Sequence, residues 1–170
     1  MFVMIKRLLI IGALVAIVLT GVIMFFTRDT NPTKESALLK ARVETLVVLL
    51  GEGKANARDG ALRQFVAEAS TLVLSDKAAM DASLLTVGIK KTDKATKAAE
   101  SDSDTFAKLS SAKLNGQFDS VYPGMLEQKM ESTSALMLEV QSKTPNPGLK
   151  ASLTKSRATL KLLLDRLSKF

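Results

Sequence analysis

The sequence predicts an all-α protein, with one N-terminal transmembrane helix followed by an antiparallel four-helix bundle. The chain of 170 residues has an uncharged apolar run close to its N-terminus. Beyond that run, apolar residues recur every three or four positions, as on one face of a helix, and no segment alternates as a strand does. The outer residues are numerous enough to bury a core without a metal or a disulfide. These three observations define the predicted architecture.

The first element is the apolar segment at residues 8–26. At about 1.5 Å per residue it spans roughly 28 Å, close to the ~30 Å hydrocarbon core of a bilayer. Lys6 and Arg7 precede it, so the positive-inside rule places the N-terminus in the cytoplasm. We therefore expect a cytoplasmic tip and signal anchor at residues 1–27, spanning the cytoplasmic (inner) membrane once. Residues 28–170 are then extracytoplasmic.

A cleaved signal peptide is the alternative interpretation of this segment. The apolar region of a signal peptide has about 7–15 residues and ends at small residues. The run found here is longer and ends in the bulky sequence Val-Ile-Met-Phe-Phe at residues 22–26. These features favour a retained anchor.

Small residues recur along one face of the predicted membrane helix. Gly12, Ala16 and Thr20 are four residues apart, a spacing that lets two membrane helices approach closely. They are the candidate residues for membrane-helix packing and self-association.

The first two bundle helices follow the anchor. An Asn-Pro pair at residues 31–32 provides a cap and a first helical position. Gly51 and Gly53 are expected to interrupt this helix. A second helix begins near Asp59 and carries Asp76 where an apolar residue is expected. That acid predicts a kink, a break or a side chain that reaches solvent.

The second half of the chain predicts two further long helices. Residues 90–104 are polar and indicate a loop or a frayed helix, followed by a short helical piece. A third long helix is expected over residues 119–142. Asn146 caps the last helix and Pro147 opens it. Four amphipathic helices with short or polar connections are typical of a four-helix bundle.

Three motifs in the C-terminal half invite comparison with a known family. They are Phe118-Asp119-x-x-Tyr122-x-x-x-Leu126, Asn146-Pro147-Gly148-Leu149-Lys150 and Ala158-Thr159-Leu160-Lys161. In these motifs the chain resembles the ferritin-like four-helix domain of unknown function found in many bacterial exported proteins. The resemblance spans most of residues 33–170, but only residues 118–161 are specific. It implies a ferritin-like up-down arrangement and an exported, periplasmic location.

The chain departs from that family at its histidines. Members typically carry histidines on the second, third and fourth helices, where this chain has apolar residues near Val73, Met130 and positions 162–163. The resemblance therefore implies a fold and a location but no activity. The acids on long helices that could point inward are Glu44, Glu68, Glu127 and Glu131. Without histidine, an all-carboxylate metal site is not predicted.

The composition excludes most catalytic chemistry. The chain has no Cys and no His. It therefore has no thiolate nucleophile, no Ser-His-Asp triad and no imidazole-bound metal. The two Ser-x-x-Lys matches, at residues 110–113 and 152–155, are no more than a chain rich in Ser and Lys gives by chance. We predict no enzymatic activity, no catalytic residue, no metal and no cofactor.

The last helix is basic on the side opposite its leucines. Its candidate surface residues are Lys150, Arg157, Lys161 and Lys169. They could meet anionic lipid, cell-wall polymer or an acidic partner, or form a solvated face favoured by the helix dipole. Nucleic acid is not expected, because residues 28–170 contain few aromatics on which bases could stack.

The function predicted from these features is a membrane-anchored, non-enzymatic structural or interaction module. Its expected partners are the lipid bilayer through residues 8–26 and an envelope protein or a second copy of the chain. Two alternatives stay open. One is a sensory bundle that holds a small ligand near Met130 and Met137. The other is a degenerate metal-binding ferritin-like protein.

Overall fold

The computed structural model describes residues 33–170, which form six α-helices and no strand. This confirms the all-α prediction for that range. None of these helices is long and apolar enough to cross a membrane. The predicted anchor, with Gly12, Ala16 and Thr20, lies outside the described residues. The helices are α1 (Thr33–Asn56), α2 (Gly60–Thr86), α3 (Lys94–Ala99), α4 (Ser103–Leu114), α5 (Phe118–Lys143) and α6 (Pro147–Leu167).

The four long helices, α1, α2, α5 and α6, pack around one core. Neighbouring pairs are α1 with α2, α2 with α6, α6 with α5, and α5 with α1. A three-residue turn, residues 57–59, joins α1 to α2. The start of α5 lies at this turn, because the Asp119 carboxylate accepts hydrogen bonds from the backbone amides of Arg58 and Asp59. The connection through α3 and α4 therefore returns along the bundle.

This crossover makes α5 parallel to α2 and antiparallel to α1. At the other end of α5, Lys143 forms an ion pair with Glu35 at the start of α1, with 2.8 Å between Nζ and Oε1. The end of α6 lies beside the start of α2, where Arg166 pairs with Glu68. Every neighbouring pair of long helices is thus antiparallel. We call the end formed by residues 57–59, the start of α5 and the end of α6 the loop end.

The core is built mainly from leucines that recur at helical spacing. A fully buried Leu or Phe side chain stabilises a fold by roughly 1.5–3 kcal/mol relative to its exposed state. Tyr122 is buried in the core, and its phenolic hydroxyl donates to the Leu49 carbonyl oxygen at 3.1 Å. The largest fully buried side chains are Tyr122, Phe65, Leu39, Leu46, Leu49, Leu50, Leu62, Met80, Leu84, Leu126, Met130 and Leu149.

Helix α1 continues through Gly51 and Gly53, so the predicted interruption is wrong. Gly51 is exposed, and a Cβ there would meet nothing within 4 Å. A Cβ at Gly53 would lie only 2.2 Å from the Tyr122 hydroxyl oxygen. The second glycine therefore marks the place where the tyrosine ring of α5 packs against the backbone of α1. Burial, with a smaller contribution from the Glu52 carboxylate, raises the pKa of Tyr122 far above its ordinary value and keeps the donor protonated.

Helix α2 is unbroken at Asp76, against the predicted break and the predicted solvent-exposed acid. The helix begins at an Asp59 cap, whose carboxylate accepts from the Leu62 amide at 2.7 Å. Asp76 is 8% exposed and lies beside α6, with Oδ1 3.8 Å from Lys155 Nζ. Its other oxygen, Oδ2, is buried without a hydrogen-bond partner. The buried Asp76 carboxylate is therefore only partly compensated, by the Lys155 ammonium group.

The polar segment 90–104 is more ordered than the sequence predicts. It contains α3, and contacts with two long helices hold the junction between α3 and α4. Arg42 donates from Nε and Nη2 to the Glu100 carboxylate at 2.8 and 2.7 Å, and from Nη1 to the Ser132 carbonyl. Lys129 pairs with Asp102, which adopts a left-handed backbone with φ of 55°.

The ion pair at Asp102 is favourable despite partial burial. Burial alone would raise the pKa of this carboxyl group, but hydrogen bonds from Lys129 and Thr105 outweigh that effect and hold the pKa below its ordinary value. Contacts between residues distant in sequence therefore fix the crossover onto α1 and α5.

The two glycines of α1 should respond in opposite directions to alanine. We expect Gly53→Ala to lower the free energy of unfolding by about 1–3 kcal/mol, because the new Cβ overlaps Tyr122. Gly51→Ala should raise it by about 0.5–1 kcal/mol, because alanine favours an exposed helix. Chemical denaturation of the full-length chain in detergent measures both. Equal effects of the two substitutions would contradict the close helix approach.

Candidate functional site

An open pocket of about 400 Å³ lies at the loop end. Its walls come from the last turn of α1, the turn at residues 57–59, the start of α2, the C-terminal end of α4 and the start of α5. Volumes of roughly 300–1,000 Å³ are typical of small-ligand sites. The residues that line it are Lys54, Ala55, Asn56, Ala57, Arg58, Arg63, Lys113, Gly116, Phe118 and Asp119.

Hydrogen bonds hold the backbone of this pocket in place. Asp119 Oδ1 accepts from the Arg58 amide at 3.0 Å, and Oδ2 accepts from the Asp59 amide at 2.8 Å. Arg63 donates from Nε to the Ala57 carbonyl at 3.2 Å and from Nη2 to the Arg58 carbonyl at 3.1 Å. The turn between α1 and α2 is therefore fixed from both sides.

The pocket is strongly cationic. Its lining carries four basic side chains, Lys54, Arg58, Arg63 and Lys113, against a single carboxylate, Asp119. All four basic residues are exposed. Within residues 33–170, none of the ion pairs with N to O distances up to 4.0 Å involves any of them. Because one carboxylate stands among four cations, most of the positive charge of the lining is uncompensated within the lining itself.

Helix ends account for the position of two of these cations but not of the others. Lys54 and Lys113 lie in the last turns of α1 and α4, where the helix dipole favours positive charge. Arg58 lies in the turn itself and forms no ion pair with an N to O distance up to 4.0 Å in the described residues. Chemically, this arrangement can hold an anion, and it offers no nucleophile paired with a base.

The four basic residues predicted on α6 are not gathered into one pocket. Lys150 and Lys161 are exposed, while Arg157 is half-buried and donates from Nη1 to the Gln141 side-chain oxygen at 3.2 Å. Lys169 is exposed beyond the end of α6. A functional role for this surface stays a prediction.

The core leaves little room for the ligand expected near Met130 and Met137. Both methionines are buried, and the cavity beside Met137 holds only about 10 Å³. That space is at most enough for a single water molecule. Its lining is mostly apolar, with Asp76 and Ser156 as the polar exceptions. The cavity beside Met137 is therefore too small for a ligand larger than water, and the small-ligand function stays a prediction.

The four acids considered as metal ligands do not form a cluster of three or more in the described residues. Glu68 pairs with Arg166 at 2.7 Å, and Glu44 lies 3.6 Å from Lys97 Nζ. Glu127 is half-buried, and Glu131 is exposed. Among residues 33–170, no three acidic side chains lie close enough together to share a metal ion.

Comparison with known proteins leaves the family open. No protein family, no curated protein and no solved structure matches this chain. The resemblance to the ferritin-like exported domain therefore stays a prediction. The candidate site is defined by its geometry and charge alone.

Two aspartates of α2 should respond oppositely to leucine. We expect Asp76→Leu to raise the free energy of unfolding by about 1–3 kcal/mol, because it removes a poorly compensated buried carboxylate beside an apolar cavity. Asp81→Leu should lower it, because Asp81 pairs with Lys40 and Lys77. Although partial burial opposes the charge, these lysines lower the pKa of Asp81.

Thermal and chemical unfolding of the two full-length variants at pH 7 checks this expectation. Destabilisation by Asp76→Leu comparable to that by Asp81→Leu would show that Asp76 has a stabilising role.

Proposed function

We propose that this protein is a membrane-anchored, non-enzymatic interaction module whose loop end recognises an anionic partner in the cell envelope. In this proposal residues 8–26 anchor the chain in the inner membrane, with the N-terminus in the cytoplasm and residues 28–170 outside. The observation that carries the proposal is the set of four cations around the loop-end pocket, which have no ion-pair partner in the described residues.

The filled core supports recognition at the surface over chemistry in the interior. Ligand-binding and catalytic bundles place their polar groups between the helices. Here that space is mostly apolar, with Asp76 and Ser156 among the few buried polar residues, and the cavity beside Met137 is about 10 Å³. At the exposed loop end, four basic side chains and one carboxylate line a pocket that is large enough for a small ligand.

The position of the pocket along α1 suits a partner that approaches from beyond the bundle. Helix α1 has 24 residues and is about 36 Å long at ~1.5 Å per residue. Thr33 begins this helix, and the pocket lies at its other end. The chain therefore enters the bundle far from the residues that would bind the partner.

The order of the helices supports, as part of this proposal, a ferritin-like arrangement. One long crossover between the second and third long helices is the connection found in ferritin-like bundles. Val73 and Met130, which stand near the positions of the family's histidines, are buried in the core. We propose that the chain keeps the arrangement but not the metal chemistry. Self-association through Gly12, Ala16 and Thr20 stays the proposal for a partner of the same chain.

Photo-crosslinking in intact cells tests the proposed function. A photo-reactive residue replaces Lys113 at the pocket in one full-length variant and Lys161 on α6 in a matched variant. We expect adducts in the membrane fraction from position 113 and few from position 161, because the partner's negative charge is drawn to the loop end.

Neutralising the remaining cations provides the control. Lys54→Gln together with Arg58→Gln should remove the adducts at position 113 without changing the amount of protein in the membrane fraction. Adducts from position 161 alone, or a chain found only in a soluble fraction, would contradict the proposal.

A further inference from the structure

We infer that the loop-end pocket binds a phosphoryl group with two or more negative charges, carried on a small molecule or on a polymer. This inference rests on the proposed function, because it assumes that the loop end is the recognising surface. It adds the chemical class of the group that is recognised.

The charge of the pocket selects the class of anion. Four basic side chains and one carboxylate line it, which gives a formal charge of +3. A single carboxylate ligand would leave about two positive charges uncompensated. A phosphate monoester carries roughly −1.5 to −2 at pH 7, and linked phosphoryl groups carry more. A multiply charged phosphoryl group therefore matches the pocket better than a monocarboxylate does.

The donors suit phosphoryl oxygens. Arg58 has a planar guanidinium whose fork of N–H groups pairs with two oxygens at once, whereas Lys54 and Lys113 act as mobile point charges. Since these three side chains are exposed and lack ion-pair partners in residues 33–170, no ion pair among those residues has to break when an anion binds.

Arg63 has a different role, because it is a positioning residue. Its guanidinium donates hydrogen bonds to the carbonyls of Ala57 and Arg58. The Asp119 carboxylate accepts hydrogen bonds from the amides of Arg58 and Asp59. The turn that carries the Arg58 side chain is thus fixed before any ligand arrives. A preformed site lowers the entropic cost of binding.

The pocket admits either a free ligand or a chain. About 400 Å³ accommodates a small phosphorylated molecule or one repeat of a polymer. Because the pocket is open to solvent, a polymer can enter and leave it. The two sources share the same phosphoryl chemistry and differ in how many groups they present.

Calorimetric titration of the full-length chain in zwitterionic detergent tests the inference. The probes are pyrophosphate for a free ligand, long-chain polyphosphate for a polymer, and citrate as a polycarboxylate of similar charge. We expect pyrophosphate to bind more tightly than citrate at low ionic strength, and binding to weaken as salt is added. Stronger binding of polyphosphate per phosphoryl group would identify a polymeric source, and equal binding would identify a free one.

A charge-matched pair of double variants locates the binding. Lys54→Gln with Lys113→Gln removes two charges from the pocket, and Lys150→Gln with Lys161→Gln removes two from α6. Each lost contact between exposed charged groups weakens binding by about threefold, so two lost contacts weaken it by about tenfold. We therefore expect the pocket variant to lose at least about tenfold in pyrophosphate affinity, and the α6 variant to lose less than about twofold. Circular dichroism confirms that both variants keep their helices.

Three outcomes would overturn the inference. They are no pyrophosphate binding by the natural sequence, equal losses in the two double variants, and citrate binding as tight as that of pyrophosphate. If crosslinks still form at position 113, the proposed function survives and the partner is an acidic protein surface or a polycarboxylate. If the chain binds phosphoryl groups but no crosslinks form at position 113, the phosphoryl site is supported and the proposed envelope partner is contradicted.

Discussion

The close approach of α5 to α1 is the constraint on which the rest of the structure depends. Tyr122 can pack against α1 only because Gly53 has no side chain, and its hydroxyl then reaches the Leu49 carbonyl. Phe118 stacks on Tyr122 with ring centroids 5.1 Å apart, which extends the contact toward the loop end. The register set in this way brings Asp119 to the amides of the α1–α2 turn. The packing of α5 against α1 therefore determines both the core around Tyr122 and the position of Asp119 in the candidate site.

Much of the fold could be predicted from local sequence patterns. The predictions that are wrong concern features that depend on contacts between residues distant in sequence. The capping pair Asn146 and Pro147 is found where the sequence predicts it, because a cap depends on neighbouring residues alone. The continuation of α1 through Gly53 could not be predicted, because the partner that uses the glycine is Tyr122. The order of residues 90–104 depends in the same way on Arg42 and other residues far along the chain.

The candidate site was harder to predict than the fold. The basic face of α6 is visible in the sequence because its residues recur along a single helix. The pocket instead combines Lys54 and Arg58, which are close together in sequence, with Lys113, which lies far along the chain. Only the crossover, which returns the chain to the loop end, brings Lys113 and Asp119 to the turn. The sequence shows the Phe118-Asp119 pair as part of a motif. Only the structure shows that the Asp119 carboxylate accepts hydrogen bonds from the amides of the turn.

Asp119 holds the loop end as a fixed surface before any partner arrives. Native-state hydrogen exchange of the full-length chain tests it at the amides of Arg58 and Asp59. We predict that both amides exchange far more slowly than those of an open turn, and that Asp119→Ala releases them while the Leu46 amide stays protected. Exchange of the Arg58 and Asp59 amides at unprotected rates in the natural sequence would contradict the account.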